Sequence, residues 1–191
     1  ERYLSRNNLA AVLPAAHSVG RNLKLHLLTA MVAVSVRKQT DLLRKTTVLL
    51  NEQYPHSSVQ PLGFDAELIA TLIPRLVPRA LASVIGKRAY GFFLQTEDGS
   101  DARNRVLDGA NNGTPILDYD AARTHPASRE HRRFTRAFQR ALAGAGFISF
   151  TQRIGLAATA HVCGTLTAGD DPAHAVVDAD GRVFGMPGLY V

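Results

Sequence analysis

Two mostly apolar stretches of the chain predict β-strands, and in the first of them apolar and other residues alternate loosely. Leu27 to Val36 is rich in β-branched residues, and Tyr90 to Thr96 is rich in aromatic ones. Both compositions are typical of strands. Residues 104–107 are predicted to begin a further strand, and Pro115 to Tyr119 a short one.

The clearest helical pattern runs from Ala127 to Ala145. We expect Ser128 to cap its start, and Gly144 or Gly146 to end it. Apolar residues three and four positions apart predict one buried stripe. The stripe consists of Phe134, Phe138, Ala141 and Leu142. The rest of the surface carries Arg129, Arg132, Arg133, Arg136 and Arg140.

Proline and glycine divide the remaining parts of the chain. Apolar residues at helical spacing cover Asp65 to Ile85, but Pro74 and Pro78 interrupt them, so a broken or kinked helix pair is expected. Gln53 to Phe64 is rich in proline and serine and is predicted to be a loop. Asn111-Asn112-Gly113 is a strong turn signal.

The order of these elements excludes one common way of binding a dinucleotide. Strands and helices are mixed without a regular β-α-β alternation, and the pattern G-x-G-x-x-G does not occur. The chain therefore holds no dinucleotide-binding fingerprint of its own.

Length and composition fit a globular domain with a real core. The chain has 191 residues, of which 46% are hydrophobic and 20% charged, so extensive disorder is not expected. The sequence contains no run of eighteen apolar residues, so no transmembrane helix is expected. The first residues, Glu1-Arg2-Tyr3, lack the pattern of a secretory signal. Because the first residue is not Met, we expect the true start to be missing. Cys163 is the single cysteine, which suits a reducing, cytoplasmic compartment.

The net charge of +6 is partly concentrated between Arg129 and Arg140. A basic helix can contact nucleic acid or an acidic partner. Phe134 and Phe138 belong to the buried stripe, so no exposed aromatic residues are interleaved with the arginines. A solvated face is therefore favoured, and a non-catalytic basic binding module using this helix remains the alternative.

The segment from Ala157 to Val191 contains the most suggestive chemistry. His161 lies among small residues, and Gly164 and Gly169 allow close approach of the backbone. The dipeptides at 171–172 and 180–181 mark turns, with short extended pieces on either side of the second. Imidazole is a natural proton acceptor near neutral pH, although a single histidine is more often structural.

This segment resembles the C-terminal signature of the glucose–methanol–choline (GMC) oxidoreductases, written H-x-x-G-T-x-x-M-G-x-D-P, then V-V-D, then G-R-V-x-G-x-x-N/G-L-Y-V. Ala168 stands where the family has Met. The residues in register are His161, Gly164, Thr165, Gly169, Asp171, Pro172, Val176, Val177, Asp178, Gly181, Arg182, Val183, Gly185, Gly188, Leu189, Tyr190 and Val191.

Two further motifs occur in family order. Val19 to His26, V-G-R-N-L-K-L-H, is similar to the family's V-G-x-N-L-x-x-H. Thr96 to Val106 is similar to its E-x-x-x-x-x-x-N-R-V. The resemblance thus covers residues 17–191, and leaves residues 1–16 as an N-terminal segment of uncertain role.

The resemblance implies an α+β substrate-binding domain, with a mostly antiparallel sheet flanked by helices and without the Rossmann portion. It implies oxidation of an alcohol, with His161 as catalytic base and FAD as hydride acceptor. FAD would be bound mainly by regions outside these residues, on the same enzyme or a companion chain. A second catalytic His or Asn is also expected outside them. The implied partner is a small-molecule alcohol, with no membrane and no nucleic acid.

Two other candidate sites carry less weight. His161 and Cys163 form an H-x-C pair, but a zinc site needs further ligands at suitable spacing, so no metal is expected. Glu97 and Asp98 are adjacent acidic residues in a loop, where a functional carboxylate pair is the less favoured interpretation.

Overall fold

The computed structural model describes residues 9–37, 47–63, 78–107, 109, 114–155 and 161–191. It is an α+β structure whose named strands all pair antiparallel, as expected. The strands are β1 (Lys24–Leu25), β2 (Leu27–Ser35), β3 (Leu49–Leu50), β4 (Ser57–Pro61), β5 (Ala89–Thr96), β6 (Arg105–Leu107), β7 (Ile116–Asp118), β8 (Phe147–Arg153) and β9 (Val162–Cys163). The α-helices are α1 (Arg79–Gly86) and α2 (His125–Gly144), and 3₁₀ turns occur at Leu9–Ala11, Ala16–Ser18 and Ala121–Thr124.

The chain forms two compact units. The first, called the motif unit below, combines Glu1–Leu25, Asp98–His125 and Ala160–Val191. The second, called the sheet unit, combines His26–Glu97 and Pro126–Thr159. The predicted boundary between residues 16 and 17 stays a prediction.

The sheet unit is built on a five-stranded antiparallel sheet in the order β3-β4-β5-β2-β8. Strand β2 lies inside it, and its residues alternate between buried and half-buried along the whole strand. Met31 pairs with Phe92 on one side and with Thr151 on the other. The predicted strands at 27–36 and 90–96 are confirmed, each within one residue at its ends.

Strand β4 corrects the prediction of a loop from Gln53 to Phe64. Ser57, Val59 and Pro61 are buried, and the strand pairs with both β3 and β5. Pairing and burial of alternate residues outweigh the weak strand preference of serine and proline. Leu62 N donates to Gly91 O at 2.9 Å, so the nitrogen of the preceding Pro61 points away from β5, where a missing N–H is tolerated.

Helix α2 covers one face of this sheet. Phe134 packs in a core with Met31, Ala33, Val59, Phe92 and Leu94. The rings of Phe92 and Phe138 meet edge to face at 5.3 Å between centroids. The predicted stripe is confirmed at Phe134, Phe138 and Leu142, but Ala141 is exposed, while Ser128 and His131 are buried.

The start of α2 differs from the prediction, whereas its end at Gly144 confirms it. The helix begins at His125, so Ser128 lies inside it, buried, and does not act as the cap. A 3₁₀ turn precedes the helix, and the Asp120 side chain caps that turn by accepting a hydrogen bond from Ala122 N. Gly146 follows the helix with φ of 84°, a left-handed conformation that suits glycine at a helix end.

Helix α1 begins directly after Pro78, so the C-terminal part of the helical prediction at 65–85 is confirmed. Residues 64–77, and the turn expected at Asn111-Asn112-Gly113, lie outside the described residues. Neither described helix is both long enough and apolar enough to cross a membrane.

The motif unit contains little regular structure. Its described strands form two two-stranded ladders, β1 with β9 and β6 with β7. Isolated bridges join Val177 to Val183 and Arg182 to Tyr190, which confirms extended pieces around the turn at 180–181. Its core consists of Leu13, Ala15, Val19, Val176, Val177 and Val183.

Candidate active site

The motif unit brings together segments of the three sequence motifs, although they are far apart in the chain. Gly20 N donates to Thr165 O at 2.9 Å, and Gly20 O accepts from Val106 N at 2.7 Å. Leu23 N donates to Asn104 O at 2.8 Å. The first motif therefore lies between the other two and is bonded to both through the backbone.

His161 directly precedes strand β9. That strand pairs with β1, so Leu25 lies opposite Val162 and Lys24 opposite Cys163. The ladder fixes the backbone immediately after the histidine, and the His161 side chain is exposed. The candidate base is thus anchored on its C-terminal side and accessible to a small molecule.

Gly164 follows this short ladder. Both its backbone conformation and the lack of room for a Cβ atom require glycine there. Its φ is +90°, and a Cβ atom there would lie 2.1 Å from Asn22 O. Asn22 itself has a φ of 60°, a left-handed conformation that asparagine tolerates better than most residues. The glycine after H-x-x and the asparagine of the first motif are therefore explained by one close backbone contact.

Asn104 is a buried hub of the motif unit. Its side chain is 0% exposed, and its Oδ1 accepts from Asp120 N at 3.0 Å and from Arg123 Nη1 at 3.2 Å. The same Arg123 nitrogen donates to Arg103 O at 2.6 Å. Asn104, the asparagine of the motif at Thr96 to Val106, thus connects the loop at 98–104 to the 3₁₀ turn before α2.

Glu97 and Asp98 do not form a carboxylate pair. Asp98 is buried in the motif unit, where its Oδ2 accepts from Tyr119 OH at 2.6 Å and from Leu25 N at 3.3 Å. Glu97 belongs to the sheet unit, where it is exposed and lies 3.5 Å from His56 Nδ1. The structure therefore gives Asp98 a positioning role at the end of β1 and gives Glu97 a separate surface contact.

Ion pairs hold Asp101 and Asp118 in their charged form. A hydrogen bond from the Arg103 side chain lowers the pKa of Asp101 to about 2. Hydrogen bonds from Arg105 and Arg123 lower the pKa of Asp118. These carboxylates organise the loops and do not act as bases near neutral pH.

The C-terminal turns follow the sequence prediction. Asp171 Oδ2 lies 2.6 Å from His174 Nδ1, and this hydrogen bond lowers the pKa of the carboxyl. In the second turn, Gly181 N donates to Asp178 O at 3.0 Å and Gly181 has φ of +77°. Beside this turn is an open cavity of about 340 Å³ whose lining includes Phe184, Met186 and Tyr190.

Across the part of the chain that the structure describes, no three His, Cys, Asp or Glu side chains are grouped as metal ligands. Cys163 is an exposed thiol. His174, the next histidine after His161, is bonded to Asp171.

The sheet unit holds a buried histidine that the sequence patterns did not reveal. His131 is 3% exposed, with its Nε2 2.7 Å from Thr29 Oγ1 and its Nδ1 2.9 Å from Thr96 Oγ1. Burial, together with the positive charge of Arg153, lowers the pKa of His131 to about 4. His131 lies three residues before Phe134, on the buried side of the helix, and this spacing could have indicated its burial. Its hydrogen-bond partners could not be predicted, because they come from strands remote in sequence.

Comparison with known proteins adds one match. Residues 98–191 match the family model described as GMC oxidoreductase. The matched range includes Asn104, His161 and the C-terminal turns, whereas the motif at residues 19–26 precedes it. No curated protein sequence matches the chain significantly.

Proposed function

Residues 98–191 belong to the GMC oxidoreductase family as its C-terminal portion, and on this premise we propose that the chain is part of an FAD-dependent enzyme that oxidises an alcohol CH–OH group. His161 is the proposed catalytic base. The observation that carries the proposal is its position, exposed and next to a backbone ladder, within the matched range. The coarser conclusion, membership of an oxidoreductase family, rests on the match alone.

The described residues fit the reacting side of a flavin and not its nucleotide side. His161 and Cys163 are exposed, and small residues surround them in sequence, which leaves room for a planar ring. The sequence has no glycine-rich phosphate-binding loop. FAD, when bound, supplies the hydride acceptor. We propose that its phosphates are held by regions outside these residues.

In this proposal His161 receives the hydroxyl proton of the alcohol. Bound FAD would take up the hydride from the same carbon, so that the alcohol would become a carbonyl compound. An accessible imidazole suits this role, because histidine changes protonation state near neutral pH. Pairing of β9 with β1 restricts the backbone beside the imidazole, which supports a fixed position of the base.

The sheet unit supports a substrate less polar than a free sugar. The half-buried side chains of β2 and β5 that alternate with the core residues are largely apolar. They include Leu28, Ala30, Val32 and Phe93. Because Met31 and Ala33 pack with Phe134, these alternate residues face away from α2. On this composition alone we propose an alcohol with an aromatic or aliphatic part.

A basic, non-catalytic binding module remains the alternative function. All five arginines of α2 between 129 and 140 are exposed. Phe134 and Phe138 pack inward, so they are not available to stack on bases. Salt-sensitive binding of nucleic acid, lost when Arg132, Arg133 and Arg136 are replaced, would favour this alternative.

The enzyme proposal is tested by reconstituting the chain with a GMC flavin-binding portion and mixing it anaerobically with alcohols. We expect an aromatic or aliphatic primary alcohol to bleach the flavin absorbance faster than glucose does. Faster bleaching by glucose would contradict only the proposed preference for a less polar alcohol. Failure of every alcohol to bleach bound flavin would contradict the proposed reaction.

A further inference from the structure

Strand β8 is an edge strand of the sheet, with no strand on its outer side among the described residues. Two backbone hydrogen bonds show which residues of β8 bond to β2. Val36 N donates to Gly146 O at 3.0 Å, and Ile154 N donates to Leu28 O at 2.9 Å. In an antiparallel ladder, residues bonded to the neighbouring strand alternate with residues whose N–H and C=O point away from it. The outward-pointing residues of β8 are therefore Phe147, Ser149, Thr151 and Arg153.

A groove runs between this edge and the C-terminal half of α2. Its volume is about 510 Å³, with Phe147 and Ser149 on the strand side. Arg136, Gln139 and Arg140 line the helix side. The groove therefore combines unpaired backbone donors and acceptors on one wall with two cationic side chains on the other.

The cationic side of the groove is not neutralised by the described parts of the protein. Arg132, Arg136 and Arg140 are four residues apart, so they lie along one side of α2. All are exposed, and none forms an ion pair with a described residue. Like charges at this spacing repel, so an anionic partner would be stabilised there.

We propose that this edge binds an extended acidic segment of another protein as an added antiparallel strand. The spacing of the arginines along α2 matches the spacing of alternate residues along an added strand. Arginines four residues apart on a helix are separated by about 6 Å along the axis. Alternate residues of a strand are separated by about 6.8 Å. A segment with Asp or Glu at every second position therefore presents carboxylates in step with Arg136 and Arg140.

The geometry also determines which backbone groups of the partner bind. Directly opposed residues of an antiparallel pair share one face of the sheet. Phe147 and Ser149 have their side chains on the α2 face, because their partners in β2 alternate with Val32 and Val34. The partner residues whose N–H groups bond to β8 are thus the acidic residues themselves. Strand addition supplies affinity through the main chain, and the arginines supply selectivity.

The test is fluorescence polarisation of a labelled nine-residue peptide, in which Glu alternates with Thr, against the full 191-residue chain. We expect saturable binding that N-methylation of the Glu residues abolishes and N-methylation of the Thr residues leaves intact. A peptide with Lys in place of Glu should not bind. Equal loss with both methylation patterns, or no binding of the parent peptide, would overturn the proposal.

Variants of the chain distinguish peptide binding at the groove from nonspecific electrostatic attraction to a basic protein. Arg136→Gln combined with Arg140→Gln is expected to weaken binding about three- to tenfold, the range for two exposed ion pairs. Arg133→Gln is the matched control, because Arg133 is exposed on the same helix but does not line the groove. An equal effect of both changes would overturn the proposal. So would single-stranded DNA that displaces the peptide and binds more tightly, which would assign the surface to nucleic acid.

Discussion

His131 is the residue whose protonation state the structure defines most completely. Ser57 donates its hydroxyl proton to Glu130, so Ser57 Oγ must accept from Thr96. The Thr96 proton is then used, so Thr96 must accept from Nδ1 of His131. Nε2 is left to accept from Thr29. The carboxylate of Glu130 therefore determines the tautomer of the His131 ring through Ser57 and Thr96, without a direct hydrogen bond to the ring.

We predict that His131 is neutral at pH 7 and carries its proton on Nδ1. Nitrogen-15 NMR of the imidazole ring distinguishes the two tautomers directly. Glu130→Gln should allow a mixture, because an amide can donate to Ser57 and reverse the chain of hydrogen bonds. A proton found on Nε2 in the unaltered protein would contradict the assignment.

Stability should fall in mild acid because of the same histidine. The pKa of His131 is about 4 in the folded protein and about 6.5 when unfolded. The unfolded chain therefore binds an extra proton between these values, and the stabilisation present above pH 6.5 is lost as the pH falls towards 4. The difference amounts to about 3 kcal/mol in the free energy of unfolding.

Urea unfolding at pH 7 and pH 5 measures this effect. His131→Gln should flatten the dependence on pH, whereas His17→Gln should leave it unchanged, because His17 is exposed. Arg153 and Glu130 remain in both variants, so the comparison isolates the imidazole. An equal slope in His131→Gln and the unaltered chain would show that other groups cause the acid sensitivity.

Gly164 is the position in the candidate site where a side chain is least tolerated. Gly164→Ala combines an unfavourable φ with a clash against Asn22 O, and should destabilise the protein by about 1–3 kcal/mol. Gly155→Ala is the control, because no atom of the described residues beyond its chain neighbours lies within 4 Å of its added Cβ. Thermal unfolding measures both changes. Similar melting temperatures for the two variants would contradict the close contact.

At the scale of elements, helix α2 holds the sheet unit together through its aromatic face. Phe134→Ala removes a ring from the centre of the core and should cost about 3–5 kcal/mol in the free energy of unfolding. Ala141→Ser, at an exposed position of the same helix, should change it by less than about 0.5 kcal/mol. Chemical denaturation distinguishes these values, and a comparable loss in both variants would contradict the assigned buried face.

Elements with strong periodicity could be predicted from sequence, and elements defined by their neighbours could not. Alternation in β2 and the aromatic spacing of α2 located both elements closely. Strand β4 was missed, because serine and proline have weak strand preference and its pairing with β5 is remote in sequence. Ser128 was misassigned as a cap, because Asp120 and the 3₁₀ turn moved the helix start to His125.

The candidate site was predictable in part for the same reason. The register of the C-terminal signature gives His161 as the candidate base, which stays a prediction. The turns at 171–172 and 180–181 followed from local residues. Convergence of Gly20, Asn104 and Thr165 depends on long-range backbone hydrogen bonds that no local pattern encodes. The hub role of Asn104 and the burial of His131 likewise depend on partners far along the chain.

At the scale of the whole molecule, the proposed enzyme needs a flavin-binding portion that the 191 residues do not supply. We expect the purified chain alone to retain no FAD and to oxidise no alcohol, because its sequence has no phosphate-binding loop. The visible absorbance of the purified protein checks this. A stoichiometric flavin spectrum would contradict it, and would mean that residues of this chain suffice for binding.

The most direct test of the central claim is the rate of flavin reduction by an alcohol in the reconstituted enzyme, with and without His161. Anaerobic stopped-flow measurement should show about 10²–10⁴-fold slower reduction in His161→Ala, the usual effect of losing a general base. His174→Ala, which removes another exposed histidine of the motif unit, should reduce at the original rate. Unchanged reduction in His161→Ala, with FAD still bound, would contradict the assignment of His161 as the catalytic base.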